Sequence, residues 1–200
     1  MKSLLITTLV SAAALAISHA AEIGKAASAF TLKNVKGESV SLADFKGKVV
    51  VLEWMNYDCP FVKKQYSSGN MPKLQKQYAE KGVVWLTINS SAEGKQGYYA
   101  AEAMAARSKE EGNAATHVLL DADGKVGKLY SAQVTPHMFI ICSAGNLQYD
   151  GAIDSINSTD AADVAKADAL FAKALDAVLA GSEVKDAKNK PYGCSVKYKE

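Results

Sequence analysis

The residue best placed for chemistry is Cys59, in the run WMNYDCPFVKK at residues 54–64. It follows an apolar, β-branched stretch and immediately precedes Pro60, whose missing N–H costs nothing at the first position of a helix. A thiol at a strand-to-helix turn meets unpaired backbone N–H groups and the positive end of the helix dipole, and both favour its anion. Lys63 and Lys64 in the next turn add positive charge, while the neighbouring Asp58 works against the thiolate. The arrangement predicts a thiol that titrates below about 8.5 and is nucleophilic near neutral pH. The alternative is a small apolar plug at a helix start.

Glu53 is the second unusual residue. A carboxylate inside KVVVLEWM, residues 48–55, must be paired, neutral or functional, because burying an isolated charge is costly. Beneath Cys59 it could exchange protons with the thiol. At an edge it would simply face solvent. Thr135-Pro136 precedes the strand-like MFIIC, where a tight turn and a cis bond are both compatible with the sequence. His137 follows as a lone histidine and reads as structural.

Two further cysteines, Cys142 and Cys194, complete an odd count. None of the three lies within ligand spacing of another, so no metal site is expected, and without a Cys-x-x-Cys-His no covalent haem is expected. No other cofactor is implied. Cys142 lies six residues beyond Pro136 along an extended run, about 20 Å from the Cys59 end. A disulfide needs Cα atoms within about 7 Å, which makes Cys142 a poor partner and a buried, inert residue by expectation. Cys194 sits on a C-terminal tail long enough to reach Cys59, at ~3.3 Å per extended residue. Cys194 is therefore the candidate resolving cysteine. A Cys142–Cys194 staple that leaves Cys59 alone is the competing arrangement.

These residues need a scaffold, and the pattern supplies one. Residues 30–41 read as two short strands around Lys36-Gly37, and residues 48–55 and 83–91 as strands buried on both faces. A helix is expected from Pro60 to Lys81, interrupted at Gly69-Asn70, and another over 96–110. HVLLD at 117–121 reads as a strand and DADGK as a turn. MFIIC and LQYDG pair as a hairpin across SAGN. An amphipathic helix over 160–180 ends at Gly181. Strands alternating with helices, closed by a hairpin and helix, indicate an α/β domain with a mixed central sheet.

Residues 1–20 combine Lys2, an uncharged apolar stretch and Ser18-His19-Ala20, which predicts a signal peptide cut after Ala20. The apolar run is shorter than the ~18 residues of a membrane span, so no stable insertion is expected after cleavage. The expected organisation is a leader at 1–20, one domain at 21–181 and a tail at 182–200 carrying Cys194. Export implies a secreted or periplasmic location. The formal net charge of +2 offers no electrostatic footprint for nucleic acid.

The order GKAASAFTL, SLADFKGKVVVLEWMNYDCPF and VTPHMFIICSAGNLQYDGAID resembles the thioredoxin-like redoxins over residues 23–180. These include the TlpA-like reductases and the alkyl hydroperoxide reductase/thiol-specific antioxidant (peroxiredoxin) group. CPFVKK and YGCSVKY, at 192–198, resemble its single-cysteine peroxiredoxin-like branch. The resemblance implies a thioredoxin-like fold, with Cys59 as the nucleophilic cysteine, Glu53 as the buried proton acceptor and Pro136 as the cis-proline. Pro60, Thr135 and Pro136 would line the substrate site. Val62 replaces the second cysteine of Cys-x-x-Cys, so no local disulfide can close. Asn56 stands where the peroxiredoxin signature has Thr or Ser, and no partner arginine is assignable. Ser28 replaces the proline usual in the opening motif. The implied activity is thiol–disulfide exchange at Cys59, with thiol peroxidase or a redox-inactive binding module as alternatives. Protein or small-molecule thiols and disulfides, and peroxides, are the implied partners.

Overall fold

Five consecutive buried residues, Val50–Trp54, form β3 and send alternate side chains into two separate cores. Val50, Leu52 and Trp54 meet Phe30, Tyr130 and Phe139 on one side. Val51 and Met55 meet Tyr66, Met71, Tyr78 and Phe171 on the other. A strand can carry apolar residues on both faces only at the centre of a sheet covered twice, and β3 lies there. The computed structural model describes residues 21–200, and the predicted signal peptide at 1–20 lies outside the described residues.

The chain runs β1 (Thr31–Asn34), β2 (Ser39–Ser41), β3, α1 (Pro60–Ser67), α2 (Asn70–Glu80), β4 (Val84–Asn89), α3 (Ala101–Glu110) and β5 (His117–Leu120). It continues through α4 (Lys125–Leu129), β6 (Val134–Thr135), β7 (His137–Ile141), β8 (Leu147–Gly151), α5 (Leu170–Leu179) and β9 (Cys194–Ser195). Seven strands form one sheet in the order β2-β1-β5-β4-β3-β7-β8. β3, β4 and β5 are parallel, whereas β1, β7 and β8 run antiparallel to their neighbours. This is the thioredoxin-like α/β architecture with a mixed central sheet.

The register decides what meets what. Trp54 pairs with His137 and Val50 with Ile141, so the carboxyl end of β3 abuts the amino end of β7. Cys59 and the Thr135-Pro136 step therefore share one end of the sheet, while Cys142 follows the opposite end of β7. Cys142 is half-buried at that hairpin, not fully buried as its sequence suggested.

Three elements depart from expectation. The helix expected from residue 96 starts at Ala101, because residues 92–100 form a loop held by Asn89 and Asn56 side chains on the carbonyls of Gly97 and Gln96. DADGK is not only a turn, because the buried Asp121 carboxylate accepts the N–H groups of Val126 and Gly127 and so starts α4. The helix expected over 160–180 splits into a 3₁₀ turn at Ala161–Lys166 and α5. Between them, Asp168 bonds Ser155 through both main-chain groups, and Ala167 is extended. α5 then buries Phe171, Ala174 and Leu175. Each large apolar side chain there contributes about 1.5–3 kcal/mol of burial.

Candidate active site

After β3 the chain turns on Asn56. Its Oδ1 accepts the Asp58 N–H at 2.9 Å and its carbonyl accepts the Cys59 N–H at 2.9 Å, a local side-chain turn that delivers Cys59 as the N-cap of α1. Pro60 occupies the first helical position, as its fixed φ favours. It is exposed, whereas Cys59 is fully buried.

Above the sulfur of Cys59 lies β6. The protonated thiol donates to the Thr135 carbonyl at 3.1 Å, and the Thr135–Pro136 bond is cis. β6 pairs antiparallel with β9, Thr135 opposite Cys194, so the two cysteines meet across the site. Burial is the largest influence on Cys59 and opposes ionisation. It is outweighed by hydrogen bonds from the Cys194 thiol, the Thr135 hydroxyl and the Val62 and Cys194 N–H groups, which hold the Cys59 thiol below its ordinary value. The Thr135 hydroxyl is buried at this site with no other polar partner among the described residues. Burial first, and then the neighbouring Cys59, push the Cys194 thiol up. Of the two thiols, Cys59 is thus the more readily ionised.

The segment carrying Cys194 is strapped down at both ends. Tyr192 donates to Asp154 and packs edge-on against Phe61 with ring centroids 5.8 Å apart. Tyr198 donates to the Ala132 carbonyl at 2.8 Å, and its ring occupies the space a Cβ would fill at Gly127, 2.3 Å from the Tyr198 hydroxyl. Main-chain bonds from Ala92 to Lys197 and from Val196 to Gln133 close the strap between them. Gly193 makes the close approach possible. At its φ of +143° a Cβ would lie 2.1 Å from the Thr135 carbonyl oxygen.

A model of the Redoxin family matches residues 22–170, which include Cys59 and the Thr135-Pro136 step. The chain belongs to the Redoxin family. Similar solved structures include an uncharacterized conserved protein from Geobacillus kaustophilus, 31% identical over 89% of this chain and 93% of that one, with a TM-score of 0.75. A hypothetical protein from Sinorhizobium meliloti 1021 is 26% identical over 90% of this chain and 97% of its own, also at 0.75. A putative thiol:disulfide interchange protein DsbE from Chlorobium tepidum shares the fold, with 20% identity over 80% and 99% of the two chains and a TM-score of 0.54. No curated protein matches.

In this redoxin Glu53 is fully buried in the central strand, which excludes the edge position. Its Oε1 accepts from Tyr66 at 2.9 Å, and its Oε2 from Trp85 at 2.8 Å and from Gln75 and Thr87 at 3.1 Å each. Burial raises its pKa against the pull of these four donors. Cys59 faces the same core but is not among the hydrogen-bond partners of Glu53. The structure therefore brings together Cys59, Cys194, Thr135 and Pro136, with Pro60 at the rim, and sets Glu53 apart in its own network.

The charges expected around Cys59 are largely quenched. Lys64 is buried, with Nζ 3.0 Å from the Ile156 carbonyl and 3.6 Å from Asp154. Asp58 accepts from Tyr99 at 2.9 Å. Arg107, the single arginine of the chain, pairs with Glu111 at 2.6 Å on α3. His137 lies 2.7 Å from Asp150. Sequence reasoning missed Asp154, which gathers Gln65, Lys64, Ile156 and Tyr192 beneath the strap. It also missed the two tyrosines bracketing Gly193-Cys194, whose symmetric placement in YGCSVKY was the available signal.

Proposed function

We propose that this redoxin is an exported thiol–disulfide oxidoreductase whose working couple is the dithiol and disulfide of Cys59 and Cys194. The observation that carries the reading is the meeting of the two thiols across the β6–β9 pair, Cys59 being the more acidic of the two. In the reducing direction the Cys59 thiolate attacks one sulfur of a substrate disulfide and expels the other as a thiolate. Cys194, giving up its proton, then attacks Cys59, releasing the second substrate thiol and closing the intramolecular disulfide. Thr135 and Pro136 would flank the reacting sulfurs. Glu53 would act on proton movement only indirectly, since its hydrogen bonds run to Tyr66, Gln75, Trp85 and Thr87.

Location in the periplasm or outside the cell rests on the leader-like residues 1–20, and among the described residues no helix is long and apolar enough to cross a membrane. Membership of the single-cysteine peroxiredoxin-like branch rests on CPFVKK and YGCSVKY. Peroxide chemistry draws less support. Asn56 is committed to Asp58 and Gln96, and Arg107 to α3. The deciding experiment is a disulfide map of the mature protein after mild dithiol reduction and again after reoxidation by a low-molecular-weight disulfide or by peroxide. A reversible Cys59–Cys194 bond formed by the disulfide supports the oxidoreductase. Faster formation by peroxide supports the peroxidase, and a permanently free Cys59 supports a redox-inactive module.

A further inference from the structure

Cys59 and Cys194 differ in which of them solvent reaches. Cys59 is fully buried beneath β6 and β9, whereas Cys194 is only partly buried on the strap, beside the exposed Ser195. The strap is fastened on both flanks by Tyr192 on Asp154 and Tyr198 on the Ala132 carbonyl. It also fills the pairing edge of β6, where an extended polypeptide would otherwise add as a strand. Of the two residues, then, Cys194 is the more accessible to an outside nucleophile.

We propose that small thiols enter and leave this redox centre through the sulfur of Cys194, with Cys59 as the internal leaving group. The inference rests on the Cys59–Cys194 couple proposed above. An incoming thiolate attacks Sγ of Cys194. The Cys59–Cys194 bond breaks, its electron pair departs on Sγ of Cys59, and a new S–S bond joins Cys194 to the small thiol. A second small thiolate attacks the outer sulfur of that mixed disulfide. The products are the disulfide of the two small thiols and the Cys194 thiolate, which takes a proton from water. Two small thiols are oxidised and one protein disulfide is reduced.

The leaving-group side of the site suits this direction. Exchange is faster when the departing sulfur is the more acidic one and when the attacked sulfur is accessible. The Val62 and Cys194 N–H groups and the Thr135 hydroxyl stand ready to receive a thiolate on Cys59. Among the described residues the favourable influence on Cys194 is the charge of Lys197. That charge also draws an anionic incoming thiol toward the strap. A centre entered this way takes a low-molecular-weight thiol bearing carboxylates in preference to an extended polypeptide.

The test uses the full mature chain in the oxidised state, mapped first to establish the Cys59–Cys194 bond. Absence of that bond overturns the couple itself, separately from the entry route. The oxidised chain is mixed briefly with excess glutathione, quenched in acid, alkylated and mapped. Glutathione on the Cys194 peptide, with Cys59 alkylated, in at least tenfold excess over the reverse supports the proposal. Glutathione chiefly on Cys59 overturns it. For adducts too brief to capture, Cys59→Ser and Cys194→Ser chains, both carrying Cys142→Ser, are loaded with glutathione at the remaining thiol. Release by dithiothreitol at least tenfold faster from Cys194 is expected, and equal rates overturn the proposal. Tyr192→Phe, which unfastens one flank, narrows that ratio if the strap is the shield. An unchanged ratio would mean that the strap does not shield Cys59.

Discussion

Replacing Gly193 with alanine probes whether Cys194 is held at Cys59 by the strap or merely lies near it. The new Cβ would fall 2.1 Å from the Thr135 carbonyl oxygen at a φ of +143°. Real Cβ contacts do not come that close, so β9 must withdraw from β6 by most of an ångström. The strained backbone costs about 1–3 kcal/mol. Loosening two main-chain hydrogen bonds of the β6–β9 ladder costs about 1 kcal/mol each. The sum, roughly 3–5 kcal/mol, falls on closure of the strap. The sheet and its two cores do not depend on this residue. At about 1.4 kcal/mol per tenfold, the effective concentration of Cys194 at Cys59 should fall by at least a hundredfold. Equilibration against a graded glutathione redox buffer, read by alkylation of the two cysteines, measures that quantity directly. The main urea transition of the reduced protein, followed by tryptophan fluorescence, should move little by comparison, because Trp54 and Trp85 lie in the cores. A redox equilibrium changed by less than threefold would refute the claim that Gly193 enables the strap. A matching collapse of the whole domain would refute its independence.

Four further outcomes are expected. Cys194→Ala removes the neighbouring thiol that favours ionisation of Cys59, so the ultraviolet thiolate titration of Cys59 should move to higher pH, and an unmoved titration would deny the coupling. Glu53→Leu should destabilise by about 2–6 kcal/mol, because the Trp85 and Gln75 donors lose their acceptor, whereas Glu53→Gln retains one acceptor oxygen and should cost about 1–2 kcal/mol; equal urea midpoints would remove Glu53 from its hub role. Because burial raises the folded pKa of Glu53, the native state holds that proton longer than the unfolded chain. Stability should therefore fall as pH rises from the ordinary glutamate value through the folded one, a slope that Glu53→Gln should flatten. Finally, protein recovered from outside the cytoplasm of its host should begin at Ala21, and an intact Met1 on that material would contradict the predicted leader.

Much of the fold and part of the site were legible in the residues alone. The unbroken apolar run around Val50–Trp54 requires a doubly covered central strand, because no other position buries both faces. Pro60 after Cys59 marks a helix start, because only there is a missing N–H harmless. These are local constraints, written in adjacent residues. What the sequence left open were interactions between residues far apart in the chain. Nothing local distinguishes a buried Glu53 held by Tyr66, Gln75, Trp85 and Thr87 from a carboxylate at an edge. Lys64 reads as a free charge beside the thiol until Asp154 and the Ile156 carbonyl are folded against it. The split at Ala167–Ala169 follows from Ser155 on the preceding loop, not from helix propensity. Spacing alone kept Cys194 within reach of Cys59 but could not choose its partner. That choice is made by β9 pairing with β6, by two tyrosines finding Asp154 and the Gly127 groove, and by a glycine where no Cβ fits. Bringing together residues separated by most of the domain requires the sheet to be in place first, so only the tertiary structure decides which cysteine is brought to Cys59.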